Sequence, residues 1–232
     1  MEEALYIRQR IEQVREEACR AAARGGYPPP VLVAVTKQMT DGQLLAALPH
    51  VEDVAENYPS RFALRHEFLT EQGLCPRMHL IGALQTNKVK LVVGRAALIQ
   101  SVDSVRLADA IARESRKRGV VSEVLVEVNS GRESCKGGVL PEEAAALCAH
   151  LATLEGVRLM GLMTMGPKVD EPEQLRPYFR LTRRLFEELK ETGVFATSSP
   201  SRSMGMSDSY AVAAEEGSTM IRVGQALHHL QI

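Results

Sequence analysis

Lys37 is the residue with the clearest potential for covalent chemistry. It follows the apolar run Val31–Val35, with only Thr36 between them. A short run of apolar, β-branched residues predicts a strand that is buried on both faces, as in a parallel sheet. The active sites of α/β folds lie at the carboxyl ends of such strands, where low-dielectric surroundings leave more of a lysine amine as the neutral nucleophile. Such an amine can form an imine with an aldehyde. The alternative is a lysine that simply extends to solvent from a strand end.

Small and polar residues near the C-terminus could bind a phosphate group. Ser203 and Ser207 can donate hydroxyl hydrogen bonds, and Gly205 and Gly224 allow backbone N–H groups to approach an anion. In (β/α)8 barrels, a phosphate often lies between the loops that follow the seventh and eighth strands. The alternative is an ordinary Gly/Ser turn. A phosphate site opposite a strand-end lysine fits a phosphorylated aldehyde, and pyridoxal 5′-phosphate (PLP) is the commonest cofactor of that kind.

Arg222 lies within the apolar run Met220–Gly224. A buried arginine must either pair with a carboxylate or face a cavity, and both remain open from the sequence. Arginine keeps its proton at physiological pH. If Arg222 faced the ring nitrogen of bound PLP, it would therefore hold that nitrogen unprotonated and make the ring a weak electron sink. Transamination and most carbanion chemistry would then be disfavoured.

An alternation of strand and helix patterns indicates the fold that positions these residues. After an N-terminal helix in Ala4–Arg24, the chain contains eight strand–helix units. The predicted strands are Val31–Val35, Val51–Ala55, Met78–Ile81, Ala97–Val102, Val121–Val128, Val157–Met163, a segment within Phe195–Met204, and Met220–Val223. The predicted helices are Asp41–Leu48, Ser60–Glu71, Thr86–Val93, Ser104–Arg118, Pro141–Leu154, Glu173–Glu191, Ser209–Glu216 and Gln225–Leu230. Parallel strands joined by right-handed crossovers favour a single (β/α)8 TIM barrel. An open doubly wound sheet is the competing fold, but Thr36–Met39 lacks its Gly-rich dinucleotide turn.

Composition excludes several classes of function. The 232 residues carry a net charge of −1, which does not suggest binding to nucleic acid or to a membrane surface. The apolar runs are too short to span a bilayer, and the acidic start Met1–Glu3 does not resemble a secretory signal. The four cysteines are scattered, which predicts reduced thiols in a cytoplasmic protein. We expect no metal site, because the adjacent residues His228 and His229 would not face one site on a helix.

Motifs throughout Val31–Gly224 resemble the pyridoxal-phosphate homeostasis protein family (YggS/PROSC-like). The matching stretches are Leu32–Lys37, Glu56–Tyr58, His79–Gly82, Leu84–Lys88, Val126–Asn129, Gly161–Gly166, Ser203–Asp208 and Glu216–Gly224. The Ser-Met-Gly-Met-Ser stretch, followed by Gly-Ser-Thr and Arg-Val-Gly, is the most specific combination.

The resemblance implies one PLP-binding barrel domain over residues 1–232, with residues 1–26 as a helix packed on the barrel. The barrel would be like the N-terminal domain of fold-type III PLP enzymes such as alanine racemase. The resemblance also implies that Lys37 holds PLP as an aldimine, that Asn57 lies beside the cofactor, and that Arg222 lies near the ring nitrogen. The phosphate would lie near the serines and the last glycine loop. The cofactor-binding set is therefore Lys37, Asn57, Ser203, Met204, Ser207, Arg222, Gly224 and Gln225.

The resemblance further implies a role in intracellular PLP homeostasis without robust catalytic turnover. We expect a cytoplasmic monomer, with PLP-dependent apoenzymes as candidate recipients of the cofactor. A PLP-dependent amino-acid racemase is the alternative. Racemisation needs an acid/base on each face of the substrate carbanion; Lys37 could serve one face, and Tyr58 is the only nearby tyrosine for the other. A lysine-imine aldolase without a cofactor is a third hypothesis, but it leaves Arg222 unexplained.

Overall fold

A computed structural model describes residues 2–228 of the chain. The strands are β1 (Val31–Val35), β2 (Asp53–Glu56), β3 (Arg77–Leu80), β4 (Leu98–Val102), β5 (Ser122–Val128), β6 (Val157–Thr164), β7 (Ser201–Ser203) and β8 (Met220–Val223). They pair in parallel in sequence order, and β8 pairs with β1 to close the barrel. The structure therefore confirms the (β/α)8 barrel and excludes the open sheet.

The helices cover the outside of this barrel. They are α1 (Glu2–Gly25), α2 (Asp41–Ala47), α3 (Pro59–Glu71), α4 (Val105–Arg118), α5 (Pro141–Ala152), α6 (Arg176–Glu191), α7 (Tyr210–Glu215) and α8 (Gln225–His228). The sequence assigns residues 229 and 230 to the last helix. Both lie outside the described residues, and one of them is His229, which was considered above as a metal ligand. Across residues 2–228, no helix combines the length and the apolar character that crossing a membrane requires.

The N-terminal helix α1 packs against other helices of the molecule. In α1, Ile7, Ile11, Val14 and Ala18 recur every three or four residues and are buried. The helix packs against α2, α7 and α8. Its Arg10 also donates a hydrogen bond from Nε to the carbonyl of Ala226, at 2.8 Å. The first helix therefore helps to hold the turn that follows the last strand.

The segment after β3 differs from the prediction. It forms a 3₁₀ helix, Thr86–Leu91, instead of an α-helix over Thr86–Val93, and Gln85 precedes it as the N-cap residue. The backbone N–H of Lys88 donates to the carbonyl of Gln85 at 2.8 Å, which is the i→i+3 pattern of a 3₁₀ turn. Threonine, asparagine and valine favour the α-helix only weakly, so the short connection adopts the tighter form.

The sixth and seventh units also differ in detail. In the sixth, a 3₁₀ helix, Pro172–Leu175, precedes α6, which has Pro177 in its first turn, where a proline is tolerated. Strand β7 contains only Ser201–Ser203. Pro200 precedes it and has no N–H to give to a sheet, which helps to explain why the sequence shows only a weak strand signal there.

The barrel interior is only partly apolar. Successive strand residues face opposite sides, so Leu98 and Gln100 share one face of β4, and Met220 and Arg222 share one face of β8. The apolar members form a cluster inside the barrel with Val33, Val35, Ala55, Leu125 and Met163. Most TIM barrels fill this space with branched aliphatic residues. Here, buried polar side chains lie directly beneath the carboxyl ends of the strands.

Candidate functional site

A pocket of about 240 Å³ opens at the carboxyl ends of the strands. It contains residues from the predicted cofactor-binding set and others that the sequence does not single out. The predicted residues that line it are Lys37, Asn57, Ser207, Arg222, Gly224 and Gln225. The further lining residues are Val35, Ile81, Met165, Met206 and Asp208. The pocket therefore combines an apolar wall with a small number of polar groups, as small-molecule sites generally do.

A buried carboxylate positions Lys37. Glu56 ends β2 and is fully buried. The hydroxyl of Thr36 donates to Glu56 Oε1 at 2.6 Å, and Arg65 Nε lies 3.6 Å from the same oxygen. These contacts tie the end of β1 to the end of β2 and bring Lys37 beside Asn57. The Lys37 side chain is half-buried in the pocket, and within residues 2–228 no acceptor or carboxylate engages its amine.

Arg65 also fixes the turn that follows Lys37. Its guanidinium donates to the carbonyl of Met39 at 3.0 Å and to the carboxylate of Asp41. Thr40 caps α2 by accepting a hydrogen bond from the backbone N–H of Gln43. The backbone on both sides of Lys37 is therefore held in place by these contacts.

Asn57 lies on the pocket wall with part of its hydrogen-bonding capacity unused. Its Oδ1 atom is buried and has no hydrogen-bond partner among the described residues. The loop after β3 packs tightly against it, because a Cβ at Gly82 would lie 2.0 Å from the carbonyl oxygen of Asn57. A buried, unpaired oxygen is costly in a folded protein unless a ligand or water satisfies it.

Arg222 is buried at the base of the pocket without an ion-pair partner. Its Nη1 donates to Ser203 Oγ at 2.6 Å, and its Nη2 donates to the carbonyl of Thr164 at 2.9 Å. No carboxylate of residues 2–228 lies within ion-pair distance, so the alternative of a buried salt bridge is not what the structure shows. Burial lowers the pKa of Arg222 to about 10, against the opposing charge of Glu127. The guanidinium therefore remains charged at neutral pH.

Two backbone N–H groups converge on one oxygen at the opposite end of the pocket. Ser207 Oγ accepts from the N–H of Gly224 at 3.1 Å and from the N–H of Ala226 at 3.4 Å. Gly224 packs against β1, because a Cβ there would lie 3.2 Å from Val35 Cβ. This end of the pocket thus groups two backbone N–H donors and a hydroxyl, which are the kinds of group that bind a phosphate oxygen.

Ser203 and Met204 lie away from the pocket lining. The sequence places both in the cofactor-binding set, but neither lines the pocket. Ser203 is the last residue of β7 and faces the barrel interior, where its hydroxyl donates to Gln100 Oε1 at 2.6 Å. Met204 faces the other side and packs against Phe179 and Ala213. The alternation of side chains along a strand separates these two neighbours from the pocket and from each other.

Glu127 is an interior carboxyl group that the sequence analysis misses. It lies on β5, and burial, with the nearby charge of Asp103, raises its pKa to about 7, while Arg222 opposes the rise. A Cβ at Gly137 would lie 3.6 Å and 3.7 Å from the two Glu127 oxygens and 3.8 Å from Asp103 Oδ2. The signal was available, because Glu127 interrupts an apolar strand in the same way as Arg222.

We expect Glu127→Gln to stabilise the ligand-free protein near pH 8. The pKa of Glu127 is about 7 in the folded protein against an ordinary value of 4.5. As the pH rises from 4.5 to 7, the unfolded chain loses this proton first, so the folded state is progressively penalised. The full penalty applies above pH 7 and reaches up to about 3 kcal/mol. Near pH 4.5 it falls below about 0.5 kcal/mol.

Urea unfolding of both proteins at the two pH values measures this difference. Glu123→Gln on the same strand is the control, because Glu123 is a more exposed side chain paired with Arg158. Its effect should stay within about 1 kcal/mol at either pH. An equal effect of Glu127→Gln at both pH values would show that folding does not raise the pKa of Glu127.

The loop after β5 uses its polar side chains internally. Asn129 donates to the carbonyl of Glu133 at 2.9 Å and accepts from the N–H of Glu133 at 3.2 Å. Lys136 donates to the carbonyl of Gly166 at 2.9 Å, and its amine lies 2.5 Å from Glu133 Oε2. This second lysine near the barrel mouth is therefore fully engaged, in contrast to Lys37.

Comparisons with known proteins agree with this geometry. Residues 10–231 match the family model described as the alanine racemase N-terminal domain. A pyridoxal phosphate homeostasis protein from Aquifex aeolicus is 43% identical over 172 residues, which are 74% of this chain and 74% of that protein. The structure of PipY from Synechococcus elongatus with PLP bound has a TM-score of 0.80 and 27% identity, and covers 96% of this chain and 100% of that chain. Alanine racemase from Corynebacterium glutamicum matches with a TM-score of 0.67 at 14% identity, over 95% of this chain and 61% of that chain, which shows the fold alone.

Proposed function

The chain belongs to the pyridoxal phosphate homeostasis protein family, and from this we propose that it binds PLP reversibly and takes part in intracellular PLP homeostasis. One observation carries the proposal for this chain. Arg222 is a buried cation that has no carboxylate partner within residues 2–228 and that lines a pocket shared with the unengaged amine of Lys37. A buried charge of this kind is stabilised by an acceptor on a ligand.

The unsatisfied groups of the pocket fit the chemistry of PLP. The unprotonated pyridine nitrogen is an acceptor, and Arg222, which has only donors, is suited to it. Asn57 offers a buried oxygen without a partner. The Ser207 hydroxyl would hold the phosphate together with the N–H groups of Gly224 and Ala226, which in this structure donate to Ser207 Oγ, and Gln225 begins α8 beside them.

We propose that Lys37 forms a Schiff base with the cofactor's aldehyde. Its amine lies on the pocket wall and is not occupied by a protein acceptor, so it is available to a carbonyl carbon. Ile81, Met165 and Met206 supply apolar surface beside it. Such surface restricts water, which would otherwise hydrolyse an imine.

The same residues favour holding the cofactor over turnover. Bound PLP supplies an aldehyde that captures amines and a ring that withdraws electrons from the attached carbon. Arg222, charged at neutral pH, disfavours protonation of the ring nitrogen and so weakens that withdrawal. Tyr58, the tyrosine considered for a racemase, is 65% exposed and does not line the pocket. A test is the loss of α-deuterium from L- and D-amino acids, which we expect to stay at the rate of free PLP.

We expect Ser207→Ala to weaken the binding of PLP without weakening that of pyridoxal. A hydrogen bond to a charged group contributes about 1.5–3 kcal/mol, so the dissociation constant for PLP should rise roughly tenfold to 100-fold. Pyridoxal has no phosphate, so its dissociation constant should change little. Titrations followed by visible absorbance measure both. Equal changes for the two ligands would mean that Ser207 does not contact the phosphate.

We also propose that residues 1–232 act as one PLP-binding domain, in a cytoplasmic monomer that passes PLP to PLP-dependent apoenzymes. The packing of α1 on α2, α7 and α8 supports a single domain. Four free cysteines are consistent with a reducing compartment.

Analytical ultracentrifugation at several protein concentrations tests whether the protein is a monomer. Reactivation of a PLP-dependent apoenzyme by the loaded protein, faster than by an equal amount of free PLP, tests the transfer.

A further inference from the structure

Five buried polar side chains form a continuous row across the barrel interior beneath the pocket. They are Asp53 on β2, His79 on β3, Gln100 on β4, Ser203 on β7 and Arg222 on β8, and each is 6% exposed or less. We call this row the interior hydrogen-bond chain. Arg222 Nη1 lies 2.6 Å from Ser203 Oγ, and Ser203 Oγ lies 2.6 Å from Gln100 Oε1. Gln100 Nε2 lies 2.9 Å from His79 Nδ1, and His79 Nε2 lies 2.9 Å from Asp53 Oδ1.

The chemistry of the members gives the chain one direction. Arg222 has only donors, so Ser203 Oγ accepts from it. The contact of 2.6 Å between Ser203 and Gln100 fits an O–H···O hydrogen bond, so the amide oxygen of Gln100 faces the serine. The amide nitrogen must then face His79, whose Nδ1 accepts. His79 consequently carries its hydrogen on Nε2, which lies 2.9 Å from the acceptor-only carboxylate of Asp53.

The amide of Gln100 is held at each of its atoms. Its oxygen accepts from Ser203, and its nitrogen donates both to His79 and, at 3.2 Å, to the sulfur of Met220. Rotating the amide by half a turn would place donors against the Ser203 hydroxyl and an oxygen against the lone pair of His79 Nδ1. The tautomer of His79, the orientation of Gln100 and the direction of the Ser203 hydroxyl therefore depend on one another.

We propose that Gln100 and His79 are positioning residues that hold the Arg222 guanidinium toward the pocket through Ser203. The proposal rests on the proposed function, in which Arg222 faces the ring nitrogen of PLP. Neither residue lines the pocket, so they would act on the cofactor only through Arg222. Ser203 Oγ accepts a hydrogen bond from Arg222 Nη1, and the carbonyl of Thr164 accepts one from Nη2. These two hydrogen bonds fix the orientation of the guanidinium and leave its remaining N–H groups for a ligand.

Nuclear magnetic resonance of the ligand-free protein tests the direction of the chain independently of PLP. Long-range ¹H–¹⁵N correlation spectra report which nitrogen of His79 carries hydrogen. We expect hydrogen on Nε2 and a hydrogen-bonded lone pair on Nδ1, with the Nδ1 signal shifted in Gln100→Leu. Hydrogen on Nδ1 in the wild-type protein would overturn the proposal, whatever the protein binds.

Cofactor affinity tests whether the chain acts through Arg222. Gln100→Leu and Ser203→Ala should each raise the dissociation constant for PLP roughly tenfold, because an Arg222 that is free to turn loses a hydrogen bond to the ring. In an Arg222→Leu background the same two changes should have no effect on affinity. Ser115→Ala is the matched control, since Ser115 is equally buried but pairs with Ser122 on the outer side of β5; it should leave affinity unchanged.

The outcomes separate this proposal from the proposed function. If Gln100→Leu weakened PLP binding equally with and without Arg222, its role would be merely structural and the proposal would fail. Unchanged affinity in both Gln100→Leu and Ser203→Ala would also overturn it. If the wild-type protein bound no PLP, the proposed function would fail, while the spectra of His79 would still decide the direction of the chain.

Discussion

Lys37→Ala is expected to abolish the covalent retention of PLP. In the wild-type protein, borohydride should convert the visible absorbance of the bound cofactor into a stable adduct on a single lysine, with up to one adduct per chain. In Lys37→Ala both the visible band and the adduct should be absent. The physical reason is that only a neutral amine placed in the pocket can add to the aldehyde, and Lys37 is the lysine that lines it.

Peptide mass spectrometry of the reduced protein provides the measurement. Lys136→Ala is the control variant, because its amine also lies near the barrel mouth but is held by Gly166 and Glu133. It should retain the full adduct. Noncovalent binding of PLP should persist in Lys37→Ala at lower affinity, because Ser207 and Arg222 are untouched. An adduct on another lysine, with Lys37 unmodified, would contradict both the Schiff base and the site.

The sequence predicts the strand ends well where the strand is regular. Met220–Val223 has the same bounds in the structure as in the sequence analysis, and Arg222 was identified from its place in that strand. The reason is that an apolar run buried on both faces gives a strong signal and a charged residue within it stands out. Glu127 gives the same signal within β5, and applying the same reasoning to it would have identified it.

The sequence predicts poorly where positions depend on register or on alternation within a very short strand. β7 contains three residues, so the side on which Ser203 and Met204 face could not be read from a periodic pattern. The contact between His79 and Gln100 depends on how β3 and β4 are aligned, and β4 shifts register against β5 between Ile99 and Val102. No local pattern encodes these alignments, so the interior hydrogen-bond chain appears only in three dimensions.

The glycines near the pocket show the same limit. Gly224 and Gly205 are recognisable as loop glycines beside serines, but nothing in the sequence distinguishes the role of Gly82 from that of an ordinary turn glycine. Its importance comes from a close approach between the loops after β2 and β3. Asn57 and Gly82, which meet there, are 25 positions apart in the sequence. The backbone of Asn57 occupies the space that a side chain at Gly82 would need.

Gly82→Ala should therefore both destabilise the protein and weaken PLP binding. The new Cβ would lie 2.0 Å from the carbonyl oxygen and 2.8 Å from the carbonyl carbon of Asn57, so the backbone must move. Overpacking against backbone should cost about 3 kcal/mol, which lowers the melting temperature by roughly 6–12 °C in a chain of this size. Movement of Asn57, and of Glu56 before it, would disturb the contacts that bring Lys37 into the pocket.

Thermal unfolding and PLP titration of the same preparation measure the two effects. Gly42→Ala is the control: Gly42 lies in α2, where a Cβ would meet nothing closer than Thr40 Oγ1 at 3.9 Å. Alanine is a better helix former than glycine, so this variant should be more stable by about 0.5–1 kcal/mol and should bind PLP normally. If Gly82→Ala kept its affinity despite a lower melting temperature, the close contact would serve the fold alone, and the position of Asn57 would not limit cofactor binding.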